Sequence, residues 1–174
     1  EQHGIYYTVC LGNHDSEIFS THTREQISDI WADEGLKYSL YQEGPEDVDG
    51  FGNHLIKVKN TQGIVKNVYF MFDSHSYTDD DIFGNKWLYD NIHENQIQWY
   101  EKHIAELKQK YGDVKSMLFM HIPIPEYEEV MRFDPDAKPV PTGIPTGKGE
   151  IIYGEMHESV GCSPYNSGLF ERAK

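Results

Sequence analysis

The sequence predicts a layered domain of strands and helices, α/β or α+β in class, and three observations carry that expectation. Short runs rich in β-branched and aromatic residues recur along the chain. Two stretches repeat apolar residues three and four positions apart. Turns built on Gly and Asn stand between them. With 38% hydrophobic and 13% aromatic content, 174 residues suffice for one domain with a real core, so 1–174 is read as a single domain.

Each element follows from local pattern. Ile5-Tyr6-Tyr7-Thr8-Val9-Cys10-Leu11 suits a buried strand that stops at the turn Gly12-Asn13-His14-Asp15. Thr23 is placed to cap a helix over 24–33, with Ile27, Ile30 and Trp31 at helical spacing and Gly35 just past its end. Residues 36–41 and 54–59 alternate as strands, and Asn60-Thr61-Gln62-Gly63 turns the chain into a strand over 65–72. Residues 73–91 form a polar segment too long for a simple connector, and such loops usually carry function. Between Glu94 and Tyr111, Ile97, Tyr100, Ile104 and Leu107 mark one face of a helix that Gly112 closes. Residues 114–120 read as a second buried strand that ends directly on His121, and 133–161 as a surface excursion without a core pattern. Residues 167–174 read as the first turns of a helix.

Charge excludes some partners. A formal charge of -14 and a pI near 4.9 leave too few Lys and Arg to neutralise nucleic acid or an anionic membrane surface, while divalent cations stay open. No apolar run reaches the roughly 18 residues of a membrane-spanning helix, so a soluble protein is expected. Cys10 and Cys162 lack the spacing of a zinc site and read as buried free thiols. The chain opens at Glu1 without a Met or the basic and apolar regions of a signal peptide, and reads as an excised piece.

Chemistry concentrates at two strand ends. Asn13 and His14 follow the first strand and His121 follows the last, where side chains aim into a crevice. An Asn carbonyl and an imidazole both ligate metals, and a following Asp15 suits holding His14 in one tautomer. An ordinary turn at Gly12-Asn13-His14-Asp15 and a satisfied core histidine at His121 are the plain alternatives. Asp73-Ser74-His75 is not a preformed nucleophile and base, because neighbours in a strand face opposite ways. A substrate-edge role is preferred for it. Asp79-Asp80-Asp81 lacks the spacing of a calcium loop and reads as a solvated acidic run. His22, His54, His93, His103 and His157 show no mutual spacing that signals a site, although His157 lies where it can reach a ligand.

Gly12-Asn13-His14-Asp15 resembles the GNHD/E block of calcineurin-like metallophosphoesterases, and His121-Ile122-Pro123 resembles their later single-histidine block. Phe72-Asp73-Ser74, Gln96-Ile97-Gln98-Trp99-Tyr100, the run on to Glu126-Tyr127, and Asn166-Ser167-Gly168 extend the likeness to the purple acid phosphatase-like and Dcr2-type branch. The resemblance implies a β-sandwich of mixed sheets flanked by helices, present here in part. It implies a phosphatase or phosphodiesterase with two divalent ions, Mn, Fe or Zn, acting on a small phosphate ester or a phosphoprotein. Asn13 and His121 would bind one ion, His14 would contact the phosphate or protonate the leaving oxygen, and Asp15 would orient it. The family's DxH, GDxxD and GHxH blocks are absent from these 174 residues, which are therefore expected to form a domain truncated at both ends and to turn over little alone. A catalytically inactive binding or scaffold module is the alternative.

Overall fold

The computed structural model describes residues 2–78, 88–136, 142–146, 148 and 156–174. It is an α+β arrangement around a three-stranded sheet. Strand β1 (His54–Lys59) pairs antiparallel with β2 (Val65–Met71), and β2 pairs parallel with β3 (Lys115–Phe119), so β2 is central. The β1–β2 turn is the anticipated one: Asn60 accepts the amides of Gln62 and Ile64 on its side chain, and Gly63 takes a φ of 78°.

Parallel pairing of β2 and β3 requires a crossover, supplied by helix α2 (Glu94–Tyr111). Its Ile97, Trp99, Tyr100 and Leu107 are buried against Val68, Phe70 and Phe72. Phe70 meets Trp99 and Tyr100 edge-on, with ring centroids 5.8 and 4.8 Å apart, and Phe72 meets Trp99 at 5.8 Å. This aromatic cluster is the centre of the core, each such pair adding about 0.5–1.5 kcal/mol beyond its burial. Gly112 closes the helix as expected, with a φ of 75° and its N–H on the Lys108 carbonyl.

Helix α1 (Arg24–Ala32) begins at the expected cap: Thr23 Oγ1 accepts the Gln26 amide while Gln26 Oε1 accepts that of Thr23. Its fully buried residue is Ser28, bonded to the Tyr41 hydroxyl at 2.8 Å, while Ile30 is half exposed. Near the other end, α3 (Glu126–Val130) leads into a hairpin of β4 (Met131–Asp134) and β5 (Thr142–Pro145). Helix α4 (Leu169–Ala173) seats Leu169 in the core.

Four expectations are corrected. Residues 5–11 form no strand: only Tyr7 pairs, in one bridge with Ser39, and Ile5 and Tyr6 are exposed. The reason lies in residues 36–41, also expected as a strand. Leu36 and Ser39 donate to Asp33 and Leu36 in successive turns, so this segment offers a neighbour only one register position, closed by Tyr7 N–H on Tyr38 and Leu40 N–H on Tyr7. Strand β3 lies at the sheet edge rather than buried, exposing Met117 and Phe119. The expected featureless excursion over 133–161 holds part of the β4–β5 hairpin. Asp79-Asp80-Asp81 lies outside the described residues. Among the described residues no helix is long and apolar enough to cross a membrane. Both cysteines are free and half-buried, and burial pushes the Cys10 thiol up to about 11, which makes it a poor nucleophile.

Candidate functional site

Because β2 and β3 are parallel, their C-terminal ends emerge on the same side of the sheet, where open sheets place ligands. Phe72 donates its N–H to Phe119 at 2.9 Å, and one step further on Ser74 Oγ accepts the Ile122 amide at 2.8 Å. Ser74 is thus buried and committed to fixing the chain beside His121, consistent with its exclusion as a nucleophile.

The turn at 12–16 arrives at the same place. Asn13–Ser16 form one turn of 3-10 helix, and Asn13 is only 3% exposed. Across 108 residues of sequence, Asn13 Oδ1 and His121 Nε2 lie 3.0 Å apart. The orientation of the Asn13 amide follows from its other partners. Tyr77 donates its hydroxyl to Glu17 Oε1 at 2.6 Å and accepts from Asn13 Nδ2 at 2.8 Å, which turns the carbonyl oxygen toward His121. Gly12 permits the approach: a Cβ there would stand 2.8 Å from the His121 ring.

His14 is 80% exposed, and its Nδ1 pairs with Glu17 Oε2 at 2.9 Å. The Glu17 carboxyl is held below the ordinary range, first by the Tyr77 hydroxyl and then by His14. Asp15 has a different place: its Oδ2 accepts the Gly12 amide at 2.6 Å and so shapes the turn. The structure therefore brings Asn13, His14 and His121 together, and the carboxylate beside the His14 ring is Glu17. Asn13, His14, Tyr89, His121, Tyr127 and Glu158 line a cleft of about 510 Å³. His157 is exposed beside it, and among the histidines without mutual spacing His54 is buried.

Behind the cleft lies an ion pair that sequence reasoning missed. Arg24 Nε donates to Asp73 Oδ2 at 2.9 Å and its Nη2 to Asp73 Oδ1, while Nη1 reaches the Gly12 carbonyl at 2.9 Å and Ser16 Oγ at 3.2 Å. Nη2 also reaches the His75 carbonyl at 3.1 Å. One guanidinium thereby joins the turn at 12–16 to the end of β2. Asp73, 1% exposed, also accepts the amides of Phe51 and His75. The available signal was position: Arg in the first turn of a helix opposes the dipole, which hints at a partner elsewhere.

Also unanticipated is a cluster of His75, Asp90 and His93. The two imidazoles stack with centroids 4.2 Å apart, and His93 lies between Asp49 (Nδ1 to Oδ2, 2.7 Å) and Asp90 (Nε2 to Oδ1, 3.2 Å). Those carboxylates, Asp90 foremost, raise the His93 pKa to about 9. His75 and His93 meet by a tertiary contact, so no spacing in the sequence announces them.

The chain is related over most of its length to a Dcr2 phosphatase and to a purple acid phosphatase-like protein. It is 34% identical over 172 residues to Phosphatase DCR2 of Saccharomyces cerevisiae, covering 94% of this chain and 26% of that protein. It is 28% identical over 188 residues to Probable inactive purple acid phosphatase 28 of Arabidopsis thaliana, covering 98% of this chain and 41% of that protein. The chain thus spans less than half the length of either relative. No protein-family model and no solved structure matches it.

Proposed function

We propose that this chain carries one wall of the active site of a calcineurin-like, metal-dependent phosphoric ester hydrolase, with the sandwich of mixed sheets that this class implies. The observation that supports it best is the convergence of Asn13 Oδ1 and His121 Nε2 at 3.0 Å beside an exposed His14. An amide oxygen and an imidazole nitrogen brought this close would hold one ion, and that donor pair suits Zn, Mn or Fe. Asn13 and His121 would hold one ion of a pair, and the remaining ligands belong to segments other than those described here. When bound, two divalent ions supply charge neutralisation on the phosphate and a lower pKa for the attacking water. His14 reaches into the cleft, contacts the phosphate and passes a proton to the leaving oxygen. Glu17, bonded at the edge of the ring, steadies His14 Nδ1 and leaves Nε2 for that transfer. Small phosphate esters or a phosphoprotein are the proposed substrates, nucleic acid and membrane are not.

A second reading is an inactive phosphoesterase-like binding module, favoured by the incomplete ligand set among the described residues and by the similarity to a relative whose name calls it inactive. Hydrolysis by the full-length protein with added Mn²⁺ separates the two. With His14→Ala, p-nitrophenyl phosphate, whose leaving group needs no proton, should lose about tenfold, and an alkyl phosphate about 10²–10⁴-fold. Equal losses would remove the proton-transfer role. Metal-independent inactivity of the parent on every ester would favour the binding module.

A further inference from the structure

We propose that His75, Asp90 and His93 form a second metal site, distinct from Asn13 and His121, that takes a single Zn²⁺ and ties together the two arms of the segment over 73–93. It does not rest on the phosphoesterase reading. One ring nitrogen of each histidine and one Asp90 carboxylate oxygen lie within 4.8 Å of one another. Ligands of a tetrahedral zinc stand about 3.3 Å apart, so the contraction is within reach of side-chain rotation. Two histidines and one carboxylate, with a fourth position left to water, match zinc's preference for mixed nitrogen and oxygen donors.

The surroundings of the histidines carry the inference further. Metal-ligating imidazoles donate their second N–H to a carbonyl or carboxylate, which fixes the tautomer. Both do so here. The buried Gln96 has its amide orientation settled twice: its Nε2 lies 2.7 Å from the Asp73 carbonyl, which only accepts, and its Oε1 lies 2.7 Å from the His93 amide, which only donates. Gln96 Oε1 must therefore accept from His75 Nε2 at 2.9 Å, and the lone pair of neutral His75 stays on Nδ1. On His93, Nδ1 faces the Asp49 carboxylate at 2.7 Å, and Nε2 faces Asp90. His75 is, among the described residues, the one non-glycine with a positive φ, 62°, a conformation kept where the surroundings impose it. All three candidate ligands are half-buried, open enough for an ion to enter.

The site would act on the neighbouring cleft. The two arms already touch through the Tyr77–Tyr89 bridge and through Asp90 N–H on Ser76. Tyr77 orients Asn13, and Tyr89 lines the cleft. An ion joining His75 to Asp90 and His93 would lock the arms that bear both tyrosines.

The test is Zn²⁺ titration of the 174-residue chain by calorimetry, with nitrogen-15 imidazole spectra of the unmutated chain as a readout that needs no substitution. About one equivalent should bind at low micromolar concentration or tighter, shifting the ring nitrogens of His75 and His93. His121→Ala should leave that affinity unchanged. His75→Ala, Asp90→Asn and His93→Ala should each weaken it more than about 100-fold, and Asp49→Asn by about 10–100-fold. Binding that His121→Ala abolishes, Zn²⁺ shifts spread over the exposed histidines, or no binding at micromolar concentration would each overturn the proposal.

Discussion

His54 shows how one buried side chain sets a pH dependence. Its Nδ1 must donate to the Gly52 carbonyl at 2.8 Å, so its Nε2 accepts from Thr8 Oγ1 at 2.9 Å, and the neutral ring is satisfied on both sides. Burial lowers its pKa from the ordinary 6.5. A histidine depressed in the folded state binds fewer protons than in the unfolded one, so stability falls as pH drops below about 6.5. The glutamine variant keeps one donor and one acceptor without the charge. Thermal melts should show that the loss in Tm from about pH 7.5 to 5.5 is smaller for His54→Gln by a few °C, an effect on the order expected for a chain of this size. An unchanged loss would place the pH dependence elsewhere. His93 acts in the opposite sense, since its raised pKa gives stability that fades as pH climbs toward about 9.

At the level of elements, Arg24 joins the start of α1, the turn at 12–16 and the end of β2 through a pair in which the Asp73 side chain is fully buried. Removing only the cation leaves a buried carboxylate uncompensated, which costs about 3–5 kcal/mol, whereas replacing both partners by apolar residues of similar volume is often close to neutral. Urea unfolding of Arg24→Ala should therefore show a loss of about 3–5 kcal/mol; a loss under about 1 kcal/mol would show that the pair contributes no more than an exposed one. The elements that could be read in advance are those whose signals are local. Thr23 with Gln26 announces α1, the spacing of Ile97, Tyr100, Ile104 and Leu107 announces α2, and Asn60 to Gly63 announces the hairpin. The segments at 5–11 and 36–41 have strand-like composition too, but a strand also needs a partner with a free extended edge, and that is a property of the tertiary structure. For the same reason, the edge position of β3 was not visible in its apolar residues.

Across the whole molecule, one parallel βαβ unit explains why residues far apart in sequence share a site. The crossover through α2 returns β3 beside β2 in the same direction, and so sets His121 next to Ser74 and the turn at 12–16. His121 was legible in advance as a residue at a strand end, and Asn13 through its turn with Gly12, His14 and Asp15, although residues 5–11 before that turn are not a strand. Glu17, Tyr77 and Arg24, which orient them, were not, because nothing in their spacing records contacts made across 60, 64 and 49 positions. The acidic character of the chain, -14 overall, sits alongside a site proposed to gather divalent cations. The claim that Asn13 and His121 ligate one ion of a phosphoesterase pair is tested most directly by metal content and hydrolysis measured together on the full-length protein and its His121→Ala variant. Loss of about one metal per chain with at least a 100-fold fall in hydrolysis is the predicted result; full metal content with undiminished hydrolysis would contradict it.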